Sequence, residues 1–251
     1  MVKMMSQLRL LLLVCLLAGL QMSHAAEVRV AVAANFVATL KALAPLYEKK
    51  TGDQLIISSG SSGKLYAQII NGAPYDVFLS ADRNFSTKLV DKQLAFAETR
   101  YIYATGVLVL WGLGNAPIDE NRLDQGGVKR IAIANPNTAP YGAAARQALK
   151  KMRLWRQVKH KLVQGESVGQ TFQFAASGNA QLGFVAMSQV LNPNNHFNRN
   201  NYWRVPADDY APLQQEAVLL AYGKENLAAK RFLEFLKHES ARGVIAEYGY
   251  L

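Results

Sequence analysis

Cysteine is nearly absent from this 251-residue chain: there is one, Cys15, and it lies within the N-terminal apolar run. That segment, MVKMMSQLRLLLLVCLLAGLQMSHAA, has a basic head (Lys3, Arg9), an apolar core from Leu10 to Leu20 and a small-residue end at Ser23-His24-Ala25. This is the pattern of an export signal over residues 1–25, with cleavage near Ala25 or Ala26. A lipid-anchored signal would place cysteine directly after Leu17-Ala18-Gly19, where Leu20 stands. Cleavage removes Cys15 and leaves neither a disulfide framework nor a thiol site, in a compartment where disulfides would form. No second run of roughly 18 or more apolar residues follows, so the mature chain is expected to be released as a soluble protein.

Histidine is also scarce. The four are His24, His160, His196 and His238, and none is spaced to pair with a carboxylate or another histidine. H-E-x-x-H, C-x-x-C and G-x-S-x-G are all missing, so metalloprotease, zinc-ribbon and serine-hydrolase chemistry lack their parts. No enzyme activity, catalytic residue or bound free metal cation is expected. Acidic residues are outnumbered, 18 to 28, giving a formal charge of +10, or +8 once Lys3 and Arg9 leave with the signal. The basic residues are scattered, apart from Lys150-Lys151-Met152-Arg153 and Lys159-His160-Lys161, which fit a solvated helix side and its exit. Scatter and export argue against nucleic acid, and a modest positive field suits small anions.

What is present is an alternation of strands and helices. Val28–Val32, Leu55–Ser58 and Tyr75–Ser80 read as strands, and Phe36–Lys50, Lys64–Asn71 and Asn84–Asp91 as helices. From Thr105 the alternation restarts, with strands at Val107–Trp111, Arg130–Ala134 and Leu182–Ala186, helices at Gly142–Met152 and Gly169–Ser177, and an extended piece at Leu162-Val163. Residues 192–201 are asparagine-rich and read as a surface loop. A late strand, Glu216–Ala221, precedes a helix over Leu227–Glu239 and is placed back in the first sheet. Such alternation predicts parallel sheets with ligand sites at the carboxyl ends of the strands.

Two loops lie at such ends. One is Ala33-Ala34-Asn35. The other opens SSGSSGKLYAQI, from Ser58 to Ile69. It nearly matches the nucleotide-binding G-x-x-x-x-G-K-[ST], but Ser58 replaces the first glycine and Leu65 the hydroxyl that would hold magnesium. Small, donor-rich residues at a helix start remain, a general anion cradle, and Lys64 reads as a solvated helix residue. Donors alone suit a fully ionised tetrahedral oxyanion, whereas phosphate near neutral pH carries a proton that needs an acceptor. Ferric iron held by Tyr202, Tyr210, Tyr248 and Tyr250 is an alternative, against which these tyrosines read as packing.

Several segments together carry a resemblance. Val32-Ala33-Ala34-Asn35-Phe36, Gly60-Ser61-Ser62-Gly63-Lys64-Leu65 and Gly72 to Asp82 are similar to the molybdate-binding proteins of bacterial ABC importers, the ModA family. So are Asn135-Pro136 with Ala139-Pro140-Tyr141-Gly142, the turn Gly165-Glu166-Ser167-Val168, Leu182 to Ala186, and Tyr248-Gly249-Tyr250. The resemblance implies an α/β, two-lobed periplasmic-binding-protein fold of type II, each lobe a mostly parallel sheet flanked by helices. Residues 27–104 with 209–251 would form lobe 1 and residues 105–208 lobe 2. It further implies that molybdate or tungstate is clamped in the cleft by neutral donors, with no cofactor. Asn35 and Ser62 would serve from lobe 1, Tyr141 and Val168 through N–H groups from lobe 2, and Ala34 and Ser61 as helpers. Many relatives carry a tyrosine where this chain has Ala186. The implied protein is a periplasmic monomer that delivers its oxyanion to an ABC permease. A sulfate or thiosulfate receptor, or an enzyme or sensor on the same fold, stands as the alternative.

Overall fold

The computed structural model describes residues 25–114 and 116–251, so the export-signal reading lies outside the described residues except at Ala25. Two five-stranded sheets form. The first has strands β1 (Glu27–Ala33), β2 (Gln54–Gly60), β3 (Val77–Ser80), β4 (Tyr101–Gly106) and β10 (Leu213–Leu219), in the order β2-β1-β3-β10-β4. The second has β5 (Leu108–Trp111), β6 (Ile131–Ala134), β7 (Leu162–Gly165), β8 (Leu182–Ala186) and β9 (Tyr202–Arg204), in the order β7-β6-β8-β5-β9.

These orders are the same plan twice. In each sheet three parallel strands lead, and a fourth strand is antiparallel to both its neighbours, β10 in the first and β5 in the second. The reversed strand makes each sheet mixed. Its origin is connectivity, because β5 and β10 each enter their sheet on a chain that has just crossed from the other one. The crossing at Val107 joins β4 to β5, and residues 205–212 join β9 to β10.

Among the described residues, seven helices of nine residues or more flank the sheets: α1 (Val37–Thr51), α2 (Ser62–Ile70), α3 (Arg83–Asp91), α4 (Pro140–Lys151), α5 (Val168–Ala176), α6 (Leu227–Leu236) and α7 (Glu239–Glu247). Alternation along β1 drives both faces of the first sheet into apolar layers. Val28, Val30 and Val32 meet Leu40, Leu43, Tyr47 and Phe232 on one face, while Ala31 meets Leu65, Phe78 and Leu89 on the other. A single core holds the second sheet, in which Trp111 stacks on Phe172 at 5.1 Å.

Several boundaries differ from the sequence reading. The helix expected from Lys64 starts at Ser62, since Ser61 has extended cap geometry (φ −69°, ψ 148°) and the serine run itself enters the first turn. The helix expected over Leu227–Glu239 is two, broken at Lys237-His238, where His238 turns extended to cap the second. The late strand begins at Leu213, three residues before Glu216. Strands β4 and β9 have no counterpart in the sequence reading; both lie on sheet edges, where the burial pattern is irregular.

Candidate anion-binding site

The repeated plan places four loops face to face. Each lobe, meaning a sheet with its helices, offers the turns after its first and second parallel strands. Those are the turns after β1 and β2 in one lobe and after β6 and β7 in the other, each running into a helix start: α1, α2, α4 and α5. Between them lies a small cavity, walled by Ala33, Ala34, Asn35, Gly60, Ser61, Ser62 and Ala81 from one lobe and Ala139, Pro140, Tyr141 and Val168 from the other. All six residues singled out in the sequence lie on this wall. Larger grooves exist elsewhere, but they open on the outer surface, while this one sits where four helix amino ends converge. Each such end carries about half a positive charge and unsatisfied N–H donors.

The serine pair divides its labour. Ser62 Oγ accepts from the Ala81 N–H at 3.0 Å, which fixes the hydroxyl and leaves its proton to donate. Ser61 occupies the cap position of α2 but makes no side-chain capping bond. Its buried hydroxyl has no partner among the described residues. A fully buried orphan hydroxyl is costly unless something arrives to use it.

Asn35 works differently. Its amide Nδ2 is already used, donating to Gln215 Oε1 at 2.8 Å and to Tyr250 Oη at 3.0 Å. Asn35 Oδ1 is buried without a partner. Its carbonyl accepts from Tyr250 Oη at 2.9 Å and from Ser188 Oγ at 3.0 Å, the latter reaching over from the second lobe. With the side chain pinned to the floor, the backbone N–H of Asn35 is left with no acceptor among the described residues. The Ala34 N–H, by contrast, donates to Gly60 at 2.9 Å, so Ala34 forms wall rather than donor.

From the second lobe only main chain is offered. The Tyr141 ring is buried, and its hydroxyl accepts from Gln215 Nε2 at 3.3 Å, beneath the pocket. At Gly106, a methyl group would collide with that phenol oxygen, which is why the crossing strand has glycine there. Tyr141 and Val168 sit in the first turns of α4 and α5, where N–H groups lack intrahelical acceptors. Ser167 caps α5 by accepting from the Gln170 N–H at 3.3 Å, which leaves the Val168 N–H available. No Asp, Glu, Lys, Arg or His lines the cavity. Burial pushes the Tyr141 and Tyr103 phenols well above their ordinary range and Tyr250 up to about 12, so all three stay neutral donors and acceptors.

The sequence reading missed Gln215. Its amide joins Asn35, Tyr103 and Tyr141 into one buried network under the cavity, and a glutamine on a strand gives no local signal of that role. Lys64 is an exposed helix residue, as read, and its Nζ in addition lies 2.6 Å from Glu166 Oε2 on the opposite lobe. Ala186 is fully buried, with its N–H donating to Gln189 Oε1 at 3.1 Å, and it does not reach the cavity. Tyr248 and Tyr250 pack in the first lobe's core, and the Tyr210 hydroxyl accepts from the Leu108 N–H at 3.1 Å.

Two lobes closed over one small cavity of neutral donors define the class of two-lobed solute-binding proteins. A family model described as bacterial extracellular solute-binding protein matches residues 28–251. The chain is 47% identical to the molybdate-binding protein ModA of Azotobacter vinelandii over 230 residues, 91% of each chain. It is 43% identical to ModA of Rhodobacter capsulatus, over 94% of this chain and 93% of the relative. The solved structure of the Azotobacter vinelandii periplasmic molybdate-binding protein superposes with a TM-score of 0.85, at 40% identity, covering 90% of this chain and 99% of that one. The chain belongs to the ModA family of bacterial extracellular solute-binding proteins.

Proposed function

We propose that this protein captures molybdate, and with it tungstate, in the periplasm and delivers it as a monomer to the permease of an ABC importer. The observation that carries the reading is the convergence of neutral donors, with no charged side chain on the wall. Two further supports are the 47% identity to a molybdate-binding relative and the match to a periplasmic structure of that kind. The oxyanion accepts from the hydroxyls of Ser61 and Ser62 and from the N–H groups of Asn35, Tyr141 and Val168. Each charge-assisted bond of this kind contributes about 1.5–3 kcal/mol, enough together to offset desolvation of a dianion. Residues 27–106 with 213–251, and residues 108–204, swing as two bodies about the crossing segments; the first boundary falls two residues later than the 104/105 read from sequence because β4 runs to Gly106.

Selectivity follows from shape and protonation. Oxyanions of equal charge and geometry differ in bond length, and a rigid cage fitted to the longer metal–oxygen bonds leaves sulfate with slack contacts. Phosphate carries a proton near neutral pH that needs an acceptor, whereas the hydroxyl and N–H donors named above serve a fully ionised oxyanion. Calorimetric titration with molybdate, tungstate, sulfate and phosphate tests the reading. Tight binding of the first two alone is expected, with a rise in melting temperature by mass action on the folded state. An equal rise with sulfate at the same concentration would overturn it and favour the sulfate-receptor alternative.

A further inference from the structure

Around the cavity mouth, the two lobes touch directly. The Gly63 N–H, second in helix α2 and so without an intrahelical acceptor, donates across the cleft to the Thr138 carbonyl at 2.8 Å. The backbones approach so closely that a Cβ on Gly63 would sit 2.9 Å from both Thr138 Cα and Thr138 O, and 3.0 Å from Phe85 Cζ. Two of those three atoms are main chain and cannot rotate away. Gly63 has no left-handed backbone conformation, so the requirement for glycine at this position comes from close approach, chiefly of the other lobe's main chain, with the Phe85 ring of its own lobe as the third neighbour. Beside it Lys64 Nζ meets Glu166 Oε2 at 2.6 Å, with side chains 52% and 56% exposed. An exposed pair of that kind contributes little by itself, which leaves the main-chain contact as the firmer element.

We propose that Gly63 and Thr138 form a closure stop: their main-chain contact sets how far the lobes close, and thereby how long a bound oxyanion is held. The inference rests on the molybdate reading above and adds residues outside the cavity wall. In an open form, both groups are exposed to water and the Gly63 N–H is hydrated. On closure they pair with each other, and the pair forms only if the lobes reach contact distance. A side chain at position 63 would hold the lobes apart by several tenths of an ångström, lengthening every bond from the Tyr141 and Val168 N–H groups to an anion seated on the first lobe.

The test is Gly63→Ala, followed by stopped-flow release of molybdate and by calorimetry, with the parent protein alongside. The variant is expected to release molybdate at least about ten-fold faster and to bind correspondingly more weakly, while on-rates and the ligand-free melting temperature stay at parental values. Release within about two-fold of the parent would overturn the stop. A parent that fails to bind molybdate would instead overturn the functional reading on which the stop rests. A second measurement needs no substitution: amide exchange at Gly63 in the parent protein. Molybdate should slow it, because the Gly63 N–H then pairs with the Thr138 carbonyl, and an unchanged rate would overturn the proposal independently of how Gly63→Ala folds.

Discussion

In the first lobe, the loops after β1 and β2 bring two hydroxyls and a backbone N–H to the cavity. In the second, the equivalent loops after β6 and β7 bring alanine, proline, a buried tyrosine and a valine, so that its polar donors at the cavity are main-chain N–H groups. The strand plan is the same on both sides, and the chemistry is not. A side-chain donor has to be held in place by something, as Ala81 holds Ser62, whereas a first-turn N–H is aimed by the helix that carries it. The first lobe therefore depends on residue identity and the second on helix placement.

That contrast can be broken most forcefully at Val168. Val168→Pro keeps the first-turn conformation, which proline favours, but removes the N–H. Molybdate affinity should fall by about 1.5–3 kcal/mol, roughly 10- to 150-fold by calorimetry, with the fold retained. Ser62→Ala comes next: a similar bond of about 1.5–3 kcal/mol is lost, and the ligand-free protein also melts lower because the Ala81 N–H loses its acceptor. Ser61→Ala should weaken binding by about 1.5 kcal/mol while leaving the ligand-free melting temperature unchanged or slightly raised, since its hydroxyl has no protein partner to lose. If Ser61→Ala and Ser62→Ala shift stability equally, the division of labour between them is wrong. Val168→Ala, the smallest effect, should leave affinity within about two-fold, because the second lobe is read through its backbone.

The pH profile sharpens the same point. With no carboxylate, amine or imidazole on the wall, affinity should stay flat from about pH 6 to pH 9. Above that range stability falls. Burial raises Tyr250 to about 12 in the folded state, against the ordinary phenol value of 10.0, so at intermediate pH the unfolded chain holds fewer protons than the folded one. Stability conferred by the neutral phenol is thus complete below pH 10 and declines as pH rises towards 12. A melting-temperature series through alkaline pH checks the direction.

The elements carrying the site were legible because strand–turn–helix units announce themselves through apolar runs and small residues. Phe36, Leu40 and Leu43 mark the inward face of α1, and Gly60 to Ser62 mark a turn that no packed element would contain. Edge strands β4 and β9 were not legible, since one exposed side weakens their pattern. Gln215 was hidden for another reason: its importance comes from two tyrosines and one asparagine brought from distant parts of the chain, a coincidence that exists only after folding. The Lys64 partner was hidden in the same way: the residue is exposed, but only the fold brings Glu166 of the opposite lobe beside it.

Ser61 stands where a helix is ordinarily capped by its own side chain, yet its hydroxyl is withheld from that task. The helix start is left incomplete by the protein, as are those of α4 and the first residue of α5, and on the function proposed above one tetrahedral oxyanion would finish all of them at once. A bound anion would then count as a shared structural element of both lobes, and not merely as cargo. Amide exchange at Asn35, Tyr141 and Val168 should slow together when it arrives and quicken together when it leaves, giving a single clock for events on two separate halves of the chain.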